Sequence, residues 1–169
     1  MMSAERPPRK SGLRGGLVTI LLLAYSGVVL VVTLSPSQMD QAVQNGVVRL
    51  LAALHRNGLP ESVGYGEIEF LANIAMFVPL GFMGALLFSS RWSWLALVGG
   101  AGFSVAVENI QRVFLAERVY SEWDIVANTT GALLGLIAAE TLRSIVHRRD
   151  RRVIERALWF YERGLPIQP

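Results

Sequence analysis

Six carboxylate and amide side chains stand at helical spacing in segments otherwise nearly free of charge. Glu69 and Asn73 are four residues apart, Glu108 and Gln111 three apart with Arg112 next, and Asp124 and Asn128 again four apart. Residues three or four apart share one face of an α-helix, so each pair points two polar groups the same way. Carboxylates so placed bind cationic groups or exchange protons, and amides orient a polar ligand by donating and accepting together. Three carboxylates brought close to one another need a proton, a cation or basic side chains to balance them; Arg112 and Arg118 are the basic candidates. These eight residues are the candidate binding set. No catalytic residue can be assigned. His55 and His147 lie in separate segments away from Ser35, Ser37 and Ser104, and there is no Walker loop, HExxH or GxSxG. With no cysteine and no metal-ligand spacing, neither a metal site nor a cofactor is expected.

The elements that must carry these residues follow from the charge distribution. Of 169 residues, 52% are hydrophobic and only 17% charged, against about 25% charged in soluble domains. Residues 15–39, 70–90, 92–107 and 125–139 contain no Asp, Glu, Lys or Arg. An apolar run of about 18 residues or more marks a bilayer span. A soluble enzyme, a disulfide scaffold and a disordered tail are thereby excluded. The expected fold is all-α and polytopic: four transmembrane helices over about 16–34, 68–88, 94–115 and 123–142, plus two amphipathic interfacial helices. One interfacial helix is expected in the first loop at about 39–57, where Val43, Val47, Leu50, Leu51 and Leu54 share a face. The other falls in the basic C-terminal segment 143–169, with an apolar stripe of Val153, Ile154, Ala157, Leu158 and Tyr161. The chain thus divides into a basic N-terminus (1–15), a membrane domain (16–142) and a basic amphipathic C-terminal helix (143–169).

Positive-inside counting sets the expected orientation. With the N-terminus cytoplasmic, the inner side holds 12 of the 16 Lys+Arg, leaving Arg49, Arg56, Arg112 and Arg118 outside. Both termini are then cytoplasmic in a plasma-membrane protein. The first apolar run is too long for a signal peptide and lacks a small-residue cleavage site, so it reads as an uncleaved anchor. Arg148, Arg149, Arg151 and Arg152 suit anionic inner-leaflet lipid rather than nucleic acid. On this topology all three polar pairs lie toward the outer ends of their helices, with Asn73 and Asn128 about 8 Å deep at 1.5 Å of rise per residue.

A polar side chain inside a span costs about 2.5–3.5 kcal/mol at the helix centre, so such residues face a bundle interior or a wet cavity. Two readings stay open. Glu108 and Arg112 can be an intrahelical pair and the asparagines interhelical glue, or the set forms a polar chamber open to the exterior. Gly131 and Gly135 make a GxxxG, which predicts close helix contact and allows an oligomer. Gly99, Gly100 and Gly102 thin the third span, and Pro79 predicts a kink in the second.

At these residues the sequence resembles the VanZ-like family of small membrane proteins. Asn73-Ile-Ala-Met-Phe77-Val-Pro79-Leu80-Gly81-Phe82 is similar to its N-x-x-x-F-x-P-L-G-F. Glu108-Asn-Ile-Gln111, Arg118, Asp124, Asn128, Gly131 and Gly135 resemble E-x-x-Q … R … D-x-x-x-N-x-x-G-x-x-x-G. The likeness covers about residues 67–140 and departs at Gly64-Tyr65-Gly66-Glu67, where many members carry Lys or His. It implies an integral membrane protein linked to teicoplanin-type glycopeptide resistance or the cell envelope. The resulting expectation is a protein that binds an exterior envelope component or glycopeptide through an outer-leaflet polar chamber. The rival readings are a membrane enzyme acting on lipid-linked envelope precursors and a small transporter.

Overall fold

The computed structural model describes the backbone of residues 13–34, 37–114 and 122–164 and the side chains of 13–34, 45–113 and 122–164. The basic stretch 1–12, Arg118 and residues 165–169 lie outside the described residues. All regular structure among the described residues is helical: α1 (Leu13–Thr33), α2 (Ser37–Arg56), α3 (Tyr65–Leu87), a 3₁₀ turn (Ser90–Trp92), α4 (Trp94–Phe114) and α5 (Glu122–Glu162). Four of these, α1, α3, α4 and α5, are long and apolar enough to cross a membrane. Leu17, Ile20, Leu23, Val98, Leu134 and Ile137 stand exposed around the bundle, a surface suited to contact with lipid.

The bundle is organised around α3 and α5, whose contact is the most extensive, followed by α4 with α5 and α1 with α3. The sequence permits this approach through residues with little or no side chain. A Cβ built on Gly131 would fall on the Ile74 carbonyl oxygen, one on Gly135 on the Val78 carbonyl oxygen, and one on Gly81 on the Ala132 carbonyl oxygen. The GxxxG is therefore covered by α3 of the same chain. Two apolar clusters adjoin this seam. Phe77 packs with Val29 and Leu80, flanked by Tyr25, Met76 and Phe103. Ala85, Ala96 and Ala139 form the other, with Phe82 and Leu136 against them. Pro79 lies inside α3, which runs unbroken from Tyr65 to Leu87.

Both segments expected to form interfacial helices are helical. The fourth span and the basic C-terminal segment are one helix of 41 residues, with no break at Leu142. Between Leu136 and Arg163 there is neither Gly nor Pro, and Arg, Glu, Ala and Leu propagate a helix well. Termination waits for Gly164, which takes φ +63° just past the last turn. In the first loop, α2 buries Leu51 and leaves Leu50 and Leu54 exposed. It is tied back by His55, whose Nε2–H donates to the Val63 carbonyl at 2.9 Å.

One end of the bundle, the polar end, gathers the C-termini of α1 and α4 and the N-termini of α3 and α5. The opposite end carries the turn between α3 and α4. There α5 supplies a clamp: Arg143 Nη2 donates to the Ala85 and Phe88 carbonyls at 3.1 and 2.9 Å. Those groups terminate α3, where the Ala85 carbonyl also accepts the Phe88 backbone N–H, and the guanidinium adds a donor and complements the negative end of the helix dipole. Arg143 also pairs with Glu140, which accepts from Ser90 Oγ at 2.6 Å.

Candidate functional site

At the polar end α3 starts at Gly64, whose backbone N–H donates to Glu67 Oε2 at 2.8 Å, half of a capping box. From this start, Glu69 and Asn73 fall on successive turns of α3. Asn73 Nδ2 donates to Asp124 Oδ1 at 2.9 Å, joining α3 to the first turn of α5 across 51 residues of sequence. The same end of α5 carries Glu122 and Asp124 in its first turn, where carboxylates complement the helix dipole.

One turn further along α5, Asn128 is buried at 8% exposure and its Nδ2 donates to Ser104 Oγ at 2.9 Å. Its Oδ1 meets no donor among the described residues. Ser104 is on α4, and Glu108 and Gln111 follow it at helical spacing; all three are buried. Gln111 Nε2 donates to the Thr33 carbonyl at 2.7 Å, which fixes the last turn of α1. Nearer the middle of the bundle, Tyr25 Oη donates to the Met76 carbonyl at 3.1 Å. Polar side chains thus link α1 to α4, α4 to α5 and α5 to α3. Each bond replaces one that water cannot supply in a bilayer.

Beside this buried thread an open pocket of about 610 Å³ lies at the starts of α3 and α5. Gly66, Glu67, Glu69, Phe70, Leu71, Trp123 and Asp124 line it. Phe70 and Trp123 meet edge to face at 6.3 Å between centroids, and the faces of Leu71 and Trp123 are open to the surroundings. The pocket therefore has a carboxylate side and an aromatic, lipid-accessible side. Amphiphiles fit such a surface, with amine or hydroxyl donors set against the carboxylates and an apolar body against the rings.

The candidate residues fall into two neighbouring groups. Glu69 and Asp124 line the open pocket, and Asn73 bonds Asp124 from behind it. Glu108, Gln111 and Asn128 belong to the buried thread. Arg112 is exposed on α4, and Arg118 lies outside the described residues. Sequence reasoning missed Ser104, the partner of Asn128; it stands four residues before Glu108, and that spacing was the available signal. It also missed the pocket's aromatic pair and the Glu140–Arg143 clamp. Among the described residues no group of three or more His, Cys, Asp or Glu is placed to hold a metal ion.

A family profile described as VanZ/LLP1 matches residues 21–143. No curated protein and no solved structure matches the chain.

Proposed function

The chain belongs to the VanZ/LLP1 family of membrane proteins, and we propose that it binds an exterior amphiphile at the polar end of its bundle. The ligand is an envelope component or a lipid-tailed glycopeptide of the teicoplanin type. In this reading the polar end faces outward from the plasma membrane and both termini are cytoplasmic. The observation that carries it is the pocket shared by α3 and α5, where Glu69 and Asp124 stand beside Phe70 and Trp123.

The division of labour follows from chemistry. Glu69 and Asp124 accept hydrogen bonds from, or pair with, cationic and hydroxyl groups of the ligand. Asn73 holds the Asp124 carboxylate in place by its 2.9 Å bond. Trp123 and Phe70 receive the apolar body, which enters sideways from the leaflet past Leu71. Gln111 and Asn128, through their bonds to Thr33 and Ser104, hold α1, α4 and α5 in register so that the pocket keeps its shape.

The test expresses Glu69→Gln and Asp124→Asn variants in a glycopeptide-sensitive host and measures teicoplanin susceptibility against wild type at equal protein level. Loss of protection in both variants supports the reading; unchanged protection in both removes the pocket from the mechanism. Comparing envelope lipids extracted with and without the protein separates binding from turnover, since a binder leaves the lipid profile unaltered.

A further inference from the structure

Among the described residues Asn128 Oδ1 is the only buried side-chain nitrogen or oxygen without a hydrogen-bond partner. The side chain is 8% exposed, and its Nδ2 is committed to Ser104 Oγ at 2.9 Å. A buried polar atom left unmatched costs about 1–3 kcal/mol, and a bilayer offers it no bulk water. The usual resolution is an ordered water or an ion. The surroundings of Asn128 are rich in oxygen. Ser104, 1% exposed, keeps a second lone pair after accepting from Asn128. Glu108, 7% exposed, stands one turn nearer the polar end on the same face of α4. Helical side chains lean toward the N-terminus of their own helix. Because α4 and α5 run antiparallel, Asn128 leans toward the polar end and Glu108 away from it. Their oxygens are thus directed into one layer of the bundle, where converging acceptors need a donor or a positive charge between them.

We propose that Asn128 Oδ1, Ser104 Oγ and the Glu108 carboxylate hold a small monovalent cation, sodium, between α4 and α5. Three features specify that class. First, every donor is oxygen, which suits a hard cation and no thiophilic or imidazole-bound metal. Second, one carboxylate beside two neutral oxygens balances a single positive charge. Calcium draws on several carboxylates, and among the described residues no three His, Cys, Asp or Glu are grouped to supply them. Third, the space is narrow. One turn deeper, a Cβ on Gly100 would come within 2.8 Å of Ala132 Cβ, and Gly131 backs directly onto the Ile74 carbonyl. Helices drawn this close favour the smaller of the common monovalent ions. The ion braces α4 against α5 one turn below Asp124, at the end of the bundle that carries the pocket. It is a separate site and stands if the reading of the pocket fails.

Sodium chloride is the probe. Full-length protein in detergent is exchanged into choline chloride, and thermal unfolding is followed as sodium, potassium or magnesium chloride replaces choline at constant ionic strength. Retention of radioactive sodium is measured on the same preparations by scintillation proximity. Expected for wild type is a rise in melting temperature of about 5 °C that levels off with added sodium, with about one ion held per chain. Potassium should give a smaller rise and magnesium none. In choline chloride Asn128→Leu should melt close to wild type, since the oxygen it removes is unmatched there. Its sodium response should vanish and its retained sodium fall about tenfold or more. Asn109→Leu, which removes an exposed amide of α4, should keep both. Unfolding indifferent to sodium overturns the proposal, because water then meets Asn128 Oδ1. An equal rise with potassium or magnesium, or an unchanged sodium response in Asn128→Leu, overturns it as well. If Asn128→Leu does not fold, Ser104→Ala and Glu108→Gln are judged by the same criteria.

Discussion

At the scale of single residues, the two asparagines of the site differ in how well they are satisfied. Asn73 is matched to a carboxylate at 2.9 Å, whereas Asn128 is matched through its amide nitrogen and leaves its oxygen without a donor among the described residues. Breaking a buried polar pair strands the remaining partner, at a cost of about 1–3 kcal/mol and more for a charged group. Asn73→Leu removes a charge-assisted donor from the part-buried Asp124 carboxylate and should destabilise by about 1.5–3 kcal/mol. Asn128→Leu strands only a hydroxyl, which can turn to its own backbone, and removes an oxygen already unmatched; its cost should be below about 1 kcal/mol. Reversible unfolding in nanodiscs or by steric trapping measures the pair, and a larger loss in Asn128→Leu contradicts the assignment. The polar residues themselves were legible in the sequence because a bilayer makes each of them anomalous. Their partners were not. Ser104 looks unremarkable in an apolar run, and only the rotation of α4 against α5 makes it the acceptor for Asn128.

At the scale of elements, close packing and capping give predictions of opposite sign for residues of the same type. Gly135→Ala places a Cβ on the Val78 carbonyl and against the Phe82 nitrogen. Because α3 must back away, the cost should be about 1–3 kcal/mol or more. A methyl group added at Gly102 would meet nothing within 4 Å, so Gly102→Ala should be neutral or stabilising by up to about 1 kcal/mol from helix propensity. Melting temperatures of the two variants in one detergent test the contrast. Sequence could not separate Gly99, Gly100 and Gly102, since only Gly100 meets Ala132 of α5 and helix rotation is not written in a local pattern. Arg143→Ala should uncap α3 and loosen the α3–α4 turn, exposing residues 88–93 to faster proteolysis, while Arg143→Lys restores charge but not the two-carbonyl fork.

At the scale of the whole molecule, the four spans were readable because hydropathy over about 20 residues is a direct statement about the bilayer. The expected end of the fourth span at Leu142 is not a helix end, because a change in polarity does not end a helix; a conformational breaker does, and after Leu136 none occurs before Gly164. The chain has no native cysteine, so single-cysteine labelling reads the topology directly. A cysteine at Glu155 should label only from the cytoplasmic side and one at Glu61 only from outside. The reverse pattern would invert the orientation and place the pocket in the inner leaflet.

The seam between α3 and α5 also bears on biosynthesis. The two helices meet through contacts such as Asn73 with Asp124, 51 positions apart, so α3 enters the translocon well before its mate has been translated. Until then its Gly81 notch lacks Ala132, the residue that fills it in the folded bundle. A ribosome stalled ahead of α5 would release a fragment with that notch open, a ready target for membrane quality-control proteases.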